Sequence, residues 1–256
     1  CVYVENTPPV SEKTLGEPKH ECTADEKQQY GISDCWYLTD ETPVELSCSD
    51  KGNHPVDRVK IYYKIEWKQN WNDDWQTIHE ETVVGDYKKF YYEDFNYVYS
   101  FHKLTWYCVD ALDNKEQDHV ELDIVDTKPP VSTKTLLGVA IPCDQLPCAN
   151  ESNCDYYITQ ATKINLTCDD QEPHPVDHVQ IYYRYKVDEG EWTEWTEYTA
   201  PFNYTEDSKH TLEWYCVDAL GNAEPVHSQV DRVDTTPPET TKTIGCLLYT
   251  SPSPRD

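Results

Sequence analysis

The sequence predicts an all-β fold, built as tandem two-sheet sandwiches of about seven short strands each. Three observations carry this. The chain repeats itself. Its apolar residues alternate with a period of two over short runs. Its cysteines return at matching places on those runs.

The repetition sets the organisation. Asn6-Thr7-Pro8-Pro9-Val10-Ser11 returns as Asp126-Thr127-Lys128-Pro129-Pro130-Val131-Ser132, and a third copy begins at Asp234-Thr235-Thr236-Pro237-Pro238. Pro8 and Pro129 stand 121 residues apart; Pro129 and Pro237 stand 108 apart. Inside the units, His54-Pro55-Val56-Asp57 matches His174-Pro175-Val176-Asp177, and Trp106-Tyr107-Cys108-Val109-Asp110 matches Trp214-Tyr215-Cys216-Val217-Asp218. This divides the chain into the end of a preceding repeat (1–5), repeat one (6–125), repeat two (126–233) and the start of a third (234–245). Paired prolines stiffen a linker, so the Thr-Pro-Pro boundaries predict a rod, not a hinge.

The strands follow in order. Val44-Glu45-Leu46-Ser47-Cys48 and Ile164-Asn165-Leu166-Thr167-Cys168 alternate, with one face apolar. Val59 to Trp67 and Val179 to Val187 read as the next strand of each repeat. Glu191 to Tyr198 reads as another in repeat two. Leu104-x-Trp106-x-Cys108 and Leu212-x-Trp214-x-Cys216 mark a late strand, and Val226 to Val233 a last one. No helical period competes over a long window.

Inward-facing cysteines on the second and the penultimate strand hold the inter-sheet bridge position of an Ig-like sandwich. That pairs Cys48 with Cys108 and Cys168 with Cys216. Cys22 and Cys35, then Cys143 and Cys154, lie between the first two strands and would staple an insertion poor in apolar residues. Cys148 is left over: free, exchanging with Cys143 or Cys154, or bridging to another chain. Eleven cysteines point to an oxidising compartment, hence to an extracellular or cell-surface location.

Residues 162–238 carry a resemblance. Thr162-Lys-Ile-Asn-Leu-Thr-Cys-Asp, Ile181-Tyr-Tyr-Arg-Tyr, Trp192-Thr-Glu-Trp-Thr-Glu-Tyr, His210-Thr-Leu-Glu-Trp-Tyr-Cys-Val-Asp and Asp234-Thr-Thr-Pro-Pro resemble the bacterial and archaeal Ig-like surface repeats, some named OmpL47-type β-barrel domains. The resemblance covers most of repeat one as well. It departs in the cysteines, in the insertion, and in having Trp106 and Trp214 two residues before the second cysteine. It implies strings of domains in large exported proteins, used as stalks, adhesins or spacers beside enzyme domains, and it brings no catalytic residues.

With 48 acidic against 21 basic side chains, the net charge of −27 excludes a nucleic-acid or anionic-lipid surface. The absence of nucleophile-elbow, P-loop, dinucleotide and H-E-x-x-H motifs predicts no catalysis. Expected partners are neighbouring repeats, surface glycans or other cell-surface proteins, with no membrane insertion. A structural or adhesive stalk is the leading function. The alternative is a carbohydrate-binding or accessory module of an exported hydrolase, resting on Trp67, Trp71, Trp75, Trp192 and Trp195.

Two metals come into view. Calcium wants several oxygen ligands. Repeat one offers Asp110, Asp113, Asn114 and Asp126; repeat two offers Asp218, Asn222 and Asp234. The competing reading makes these Asp-Asn runs hairpin turns. Zinc would use Cys143, Cys148 and Cys154 with His174 or His178, or His20, Cys22, Cys35 and His54, against irregular spacings that favour disulfides. N-glycosylation sequons stand at Asn150, Asn165 and Asn203.

Residues 246–256, Cys-Leu-Leu-Tyr-Thr-Ser-Pro-Ser-Pro-Arg-Asp, are similar to the one-frame translation of a transposon-based sequencing adapter. With no methionine anywhere and Cys1 at its start, the sequence is expected to be a metagenomic piece of a longer reading frame. Cys1 then pairs in the preceding repeat.

Overall fold

The computed structural model describes residues 4–51, 58–97, 100–145, 153–171 and 178–243. Repeat one runs β1 (Val10–Leu15), β2 (Lys19–Glu21), α1 (Ala24–Tyr30), β3 (Cys35–Leu38), β4 (Val44–Ser49), β5 (Lys60–Lys68), β6 (Gln76–Val84), β7 (Tyr87–Phe90), β8 (Ser100–Val109) and β9 (His119–Val125). Repeat two runs β10 (Val131–Leu137), β11 (Ala140–Pro142), β12 (Tyr156–Ile158), β13 (Lys163–Asp169), β14 (Gln180–Val187), β15 (Thr196–Glu197), β16 (Lys209–Val217) and β17 (His227–Val233).

Each repeat is a sandwich. In the first, the sheet β1-β4-β7 faces the sheet β2-β3-β9-β8-β5-β6. In the second, β10-β13 faces β11-β12-β17-β16-β14-β15. Period-two alternation puts Val44, Leu46 and Cys48 of β4 inward against Ile61, Tyr63 and Ile65 of β5 and Leu104, Trp106 and Cys108 of β8. Ile164, Leu166, Ile181, Leu212, Trp214 and Cys216 repeat that core.

Among the described residues, four disulfides join Cys48–Cys108, Cys168–Cys216, Cys22–Cys35 and Cys143–Cys154. The first two tie one sheet to the other, with Cα atoms 6.1 and 6.4 Å apart.

Two features differ from the sequence expectation. The insertion holding Cys22 and Cys35 is more than a staple. Thr23 and Glu26 form a reciprocal capping box that starts α1, and Gly31, at φ 66°, ends it in the left-handed conformation. Its flank β3 pairs parallel to β9 and buries Tyr37 and Leu38. The strand expected over Glu191–Tyr198 shrinks to Thr196–Glu197. Trp192 and Trp195 both pack on the Arg184 guanidinium, at 4.7 and 4.6 Å. Residues three apart face opposite sides of a regular strand, so the backbone leaves the ladder to bring both rings to one cation.

Candidate functional site at the repeat boundary

The boundary segments are held the same way in both repeats. Glu116, just before β9, accepts from the Cys108 backbone N–H at 2.6 Å and from the Ser11 N–H at 3.0 Å. Glu224 accepts from Cys216 N–H at 2.8 Å and Ser132 N–H at 3.0 Å. One carboxylate thus clamps the bridging cysteine of one sheet to the first strand of the other. His119 and His227 sit beside these acids and stack on Trp106 and Trp214, with centroids 5.2 Å apart in each case. This explains the tryptophan two residues before each second cysteine. Sequence reasoning missed both glutamates. The signal was a glutamate recurring eight residues after each of those cysteines.

The turn after β8 is built on Asp110. Its Oδ1 accepts from Leu112 and Asn114 N–H at 2.8 and 2.9 Å, and Oδ2 from Asn114 Nδ2 at 2.8 Å. Against the effect of burial, these bonds hold its carboxyl below the ordinary range. Asp113 takes φ 64°, where repeat two has Gly221 at φ 88°. Asp218 reproduces the turn with Leu220 and Asn222.

The acids meet differently from the sequence grouping. Asp126 was grouped with Asp110, Asp113 and Asn114, but it stands with Asp218 of repeat two. Asn222 Nδ2 donates to the Asp126 carbonyl at 3.4 Å. Carboxylate oxygens of Asp126, Asp170 and Asp218 lie within 4.8 Å of one another. The physical reason is that Asp126 begins the segment feeding β10, and Asp170 follows β13, the partner of β10. Asp234 is exposed, caps its own Thr236 N–H at 2.9 Å and belongs to the next boundary.

Asp126 is 4 % exposed. Its Oδ1 accepts from Lys128 N–H at 3.0 Å, and its buried Oδ2 has no hydrogen-bond partner. Burial, joined by the charges of Asp170 and Asp218, pushes its carboxyl up to about 7. Uncompensated, such a carboxylate is costly to ionise. Asp126, Asp170 and Asp218 are the residues at this boundary that could hold a hard divalent cation, with Asp126 Oδ2 the orphaned oxygen among them. In repeat one the matching place holds Glu5, whose carbonyl accepts from Asn114 Nδ2 at 3.3 Å and whose carboxylate turns to Thr7 N–H.

Apolar contacts cross the boundary, with Ala219 and Leu220 of repeat two joining a cluster of repeat one. Leu220, in the turn beside Asp218, is 4 % exposed and packs with Cys22, Cys35, Tyr37, Leu122 and Ile124 of repeat one. The disulfide-stapled insertion is therefore part of the surface that repeat two rests on.

Other candidates fall as follows. The Cys22–Cys35 and Cys143–Cys154 disulfides engage every cysteine of the zinc groupings among the described residues, while His54, Cys148 and His174 lie outside them. His20 and His178 meet edge to face at 5.3 Å. Trp67, Trp71, Trp75, Trp192 and Trp195 are all half-buried. Trp71 and Trp75 stand at 90° to each other, with Lys68 Nζ 3.5 and 4.4 Å from their ring centres. They form no coplanar row. Asn165 exchanges hydrogen bonds with Thr135 and Tyr198; Asn203 donates to Gln160 O at 2.8 Å; Asn150 lies outside the described residues. Among the described residues, no helix is long and apolar enough to cross a membrane.

No family model matches the chain, so the OmpL47-type resemblance has no counterpart there. No curated protein matches it either. Among solved structures, the chain is similar to the fibronectin(III)-like modules of Clostridium thermocellum CbhA. The TM-score is 0.33 at 14 % identity, over 82 % of this chain and 95 % of that one. It is also similar to the FN1-FN3 domains of chicken CNTN1, with a TM-score of 0.32 at 12 % identity, over 77 % of this chain and 63 % of that one. Likeness at this level carries no argument about activity. The sandwich assignment rests on the sheets themselves.

Proposed function

We propose that the chain is a structural spacer: a run of disulfide-braced sandwiches, docked end to end, within an exported protein and without catalysis of its own. The observation that carries this reading is Leu220. Fully burying a leucine is worth about 1.5–3 kcal/mol, and here that burial lies between repeats. The insertion with Cys22 and Cys35 supplies a rigid seat for it. Proline pairs on the same boundary restrict the chain's other freedom. The perpendicular tryptophans weigh against a sugar platform, and the disulfides suit an oxidising location.

Calcium is part of the same proposal. Asp126, Asp170 and Asp218 would hold it at the foot of repeat two, with the orphaned Asp126 Oδ2 as the first oxygen offered. It would bind together the boundary segment, the end of β13 and the turn after β16.

Small-angle scattering tests the spacer reading. The wild-type chain should give an elongated, narrow distance distribution. Leu220→Asp should broaden it while each repeat keeps its own hydrogen-exchange protection. A broad distribution for the wild type would defeat the proposal.

A further inference from the structure

A lysine and two acids meet inside repeat one, away from the boundary. Lys13 comes from β1 in one sheet; Glu121 and Asp123 come from β9 in the other. Lys13 Nζ lies 3.0 and 2.9 Å from the two Asp123 carboxylate oxygens and also contacts Glu121. The lysine side chain is 4 % exposed and that of Asp123 0 %. The Tyr92 hydroxyl, itself buried, donates to Asp123 Oδ2 at 2.6 Å.

We propose that repeat one closes itself covalently, by an amide between Lys13 Nζ and Asp123 Cγ. An amine and a carboxyl held in contact and almost wholly buried favour condensation over charge separation, because the low dielectric penalises the ion pair and little water competes. The Lys13 ammonium passes a proton to Asp123, leaving a neutral amine and a neutral acid. Nζ then attacks Cγ, and Tyr92 stabilises the oxygen on which charge builds. Glu121 takes the proton that Nζ loses and returns one to the departing hydroxyl. One C–N bond forms, one C–O bond breaks and one water leaves. No electrons are transferred, and Glu121 ends as it began. Burial and the neighbouring Asp123 push the Glu121 carboxyl upward, against Lys13, which suits a group that both accepts and gives a proton.

Repeat two is the internal control. Lys134 Nζ meets Asp231 at 2.5 Å with the same burial. Yet Gln229 stands opposite Leu212 where Glu121 stands opposite Leu104. The Tyr204 hydroxyl has no hydrogen-bond partner, whereas Tyr92 bonds to Asp123. A glutamine cannot cycle the proton, so repeat two keeps an ion pair. The inference stands on repeat one alone and does not depend on the spacer reading.

Intact mass spectrometry of the full chain, reduced and denatured, tests it. The wild type should fall short of its sequence mass by about 18 Da, one water, not by two. Peptide mapping should find Lys13 and Asp123 in one linked product. Lys13→Arg and Glu121→Gln should each return to full mass. E121Q copies the residue of repeat two and should keep its β-sheet circular dichroism. A full-mass wild type, or a shortfall that maps elsewhere, overturns the cross-link. A cross-linked E121Q chain overturns the role given to Glu121.

Discussion

Leu112 and Leu220 occupy the same place in the two repeats, yet Leu112 is 57 % exposed and Leu220 4 %. The backbone turns beneath them are the same: Asp110 and Asp218 each bind the two following loop N–H groups at 2.8 and 2.9 Å. What differs is the surface in front of them. Leu220 meets the insertion and β9 of repeat one; no such surface covers Leu112 among the described residues. Leu112 has no repeat described in front of it, so the contact is seen at one boundary, where the turn after β16 presents the leucine and the stapled insertion receives it. Two further differences lie inside the shared frame. Repeat two has Asp126 where repeat one has the longer Glu5, each accepting from the N–H two residues on, and among the described residues only the Asp126 carboxylate is grouped with two others within 4.8 Å. Repeat one sets a third ionisable group beside its buried lysine where repeat two has Gln229.

The largest effect that can break this symmetry is in the inter-sheet disulfides, which span 60 and 48 residues. The chain-entropy model gives each roughly 4 kcal/mol, with a difference between them of only about 0.2 kcal/mol. On loop length alone, replacing each cysteine pair by serine, with hydrogen exchange reading the repeats separately, would destabilise both alike. If β1 and β9 are already joined by an amide, repeat one should lose visibly less than repeat two. Next come the clamps. Glu116→Ala and Glu224→Ala each strand two backbone N–H groups, at a cost of about 1–3 kcal/mol per group. Thermal unfolding should drop similarly for both variants. A loss confined to one repeat would show that the shared geometry hides unequal packing.

Much of the frame was legible beforehand. Period-two alternation in Val44–Cys48 and Ile164–Cys168 placed the core faces, and matched cysteines placed the sheets against each other. The boundary acids were legible as residue types but not as a group. Asp170 looked like one aspartate among many, and only the β10–β13 pairing brings it to Asp126. Asp126 itself was assigned to the wrong side of its boundary. Sequence adjacency suggested the strand it follows, whereas its side chain serves the strand it leads into. Glu121 and Lys13 are 108 residues apart, and no local pattern links such a pair. Helix α1 escaped because seven residues are too few to show a helical period, although Thr23 and Glu26 carried its capping signature.

Calcium should separate the repeats by a middling amount. At one hundred times its Kd it adds about 2.7 kcal/mol to whatever it binds. Hydrogen exchange should show that protection in the loops at Asp126, Asp170 and Asp218, with repeat one unchanged. Asp126→Asn should abolish it. Equal protection of both repeats would mean that Glu5 serves as Asp126 does, and the distinction drawn between the boundaries would go.

The smallest effect concerns acid. Tyr63 and Tyr183 hold the same core place, each stacked on a phenylalanine, Phe90 or Phe202. Across the ladder Tyr63 faces Glu81, while Tyr183 faces Thr196. The Tyr63 hydroxyl donates to Glu81 at 2.6 Å and Lys88 adds a bond at 2.9 Å, which together hold the Glu81 carboxyl down to about 2. A carboxyl lowered on folding adds stability that is present above its unfolded value, near 4.5, and disappears as pH falls toward 2. The Glu81 side chain is 40 % exposed, so solvent screening keeps the contribution under about 1 kcal/mol. Repeat one should therefore lose slightly more stability than repeat two between pH 4.5 and 2, and Glu81→Gln should flatten that slope. Because β6 faces Tyr63 with Glu81 and β15 faces Tyr183 with Thr196, an unchanged slope in E81Q would place the acid sensitivity elsewhere and leave that difference in residue type without a chemical consequence.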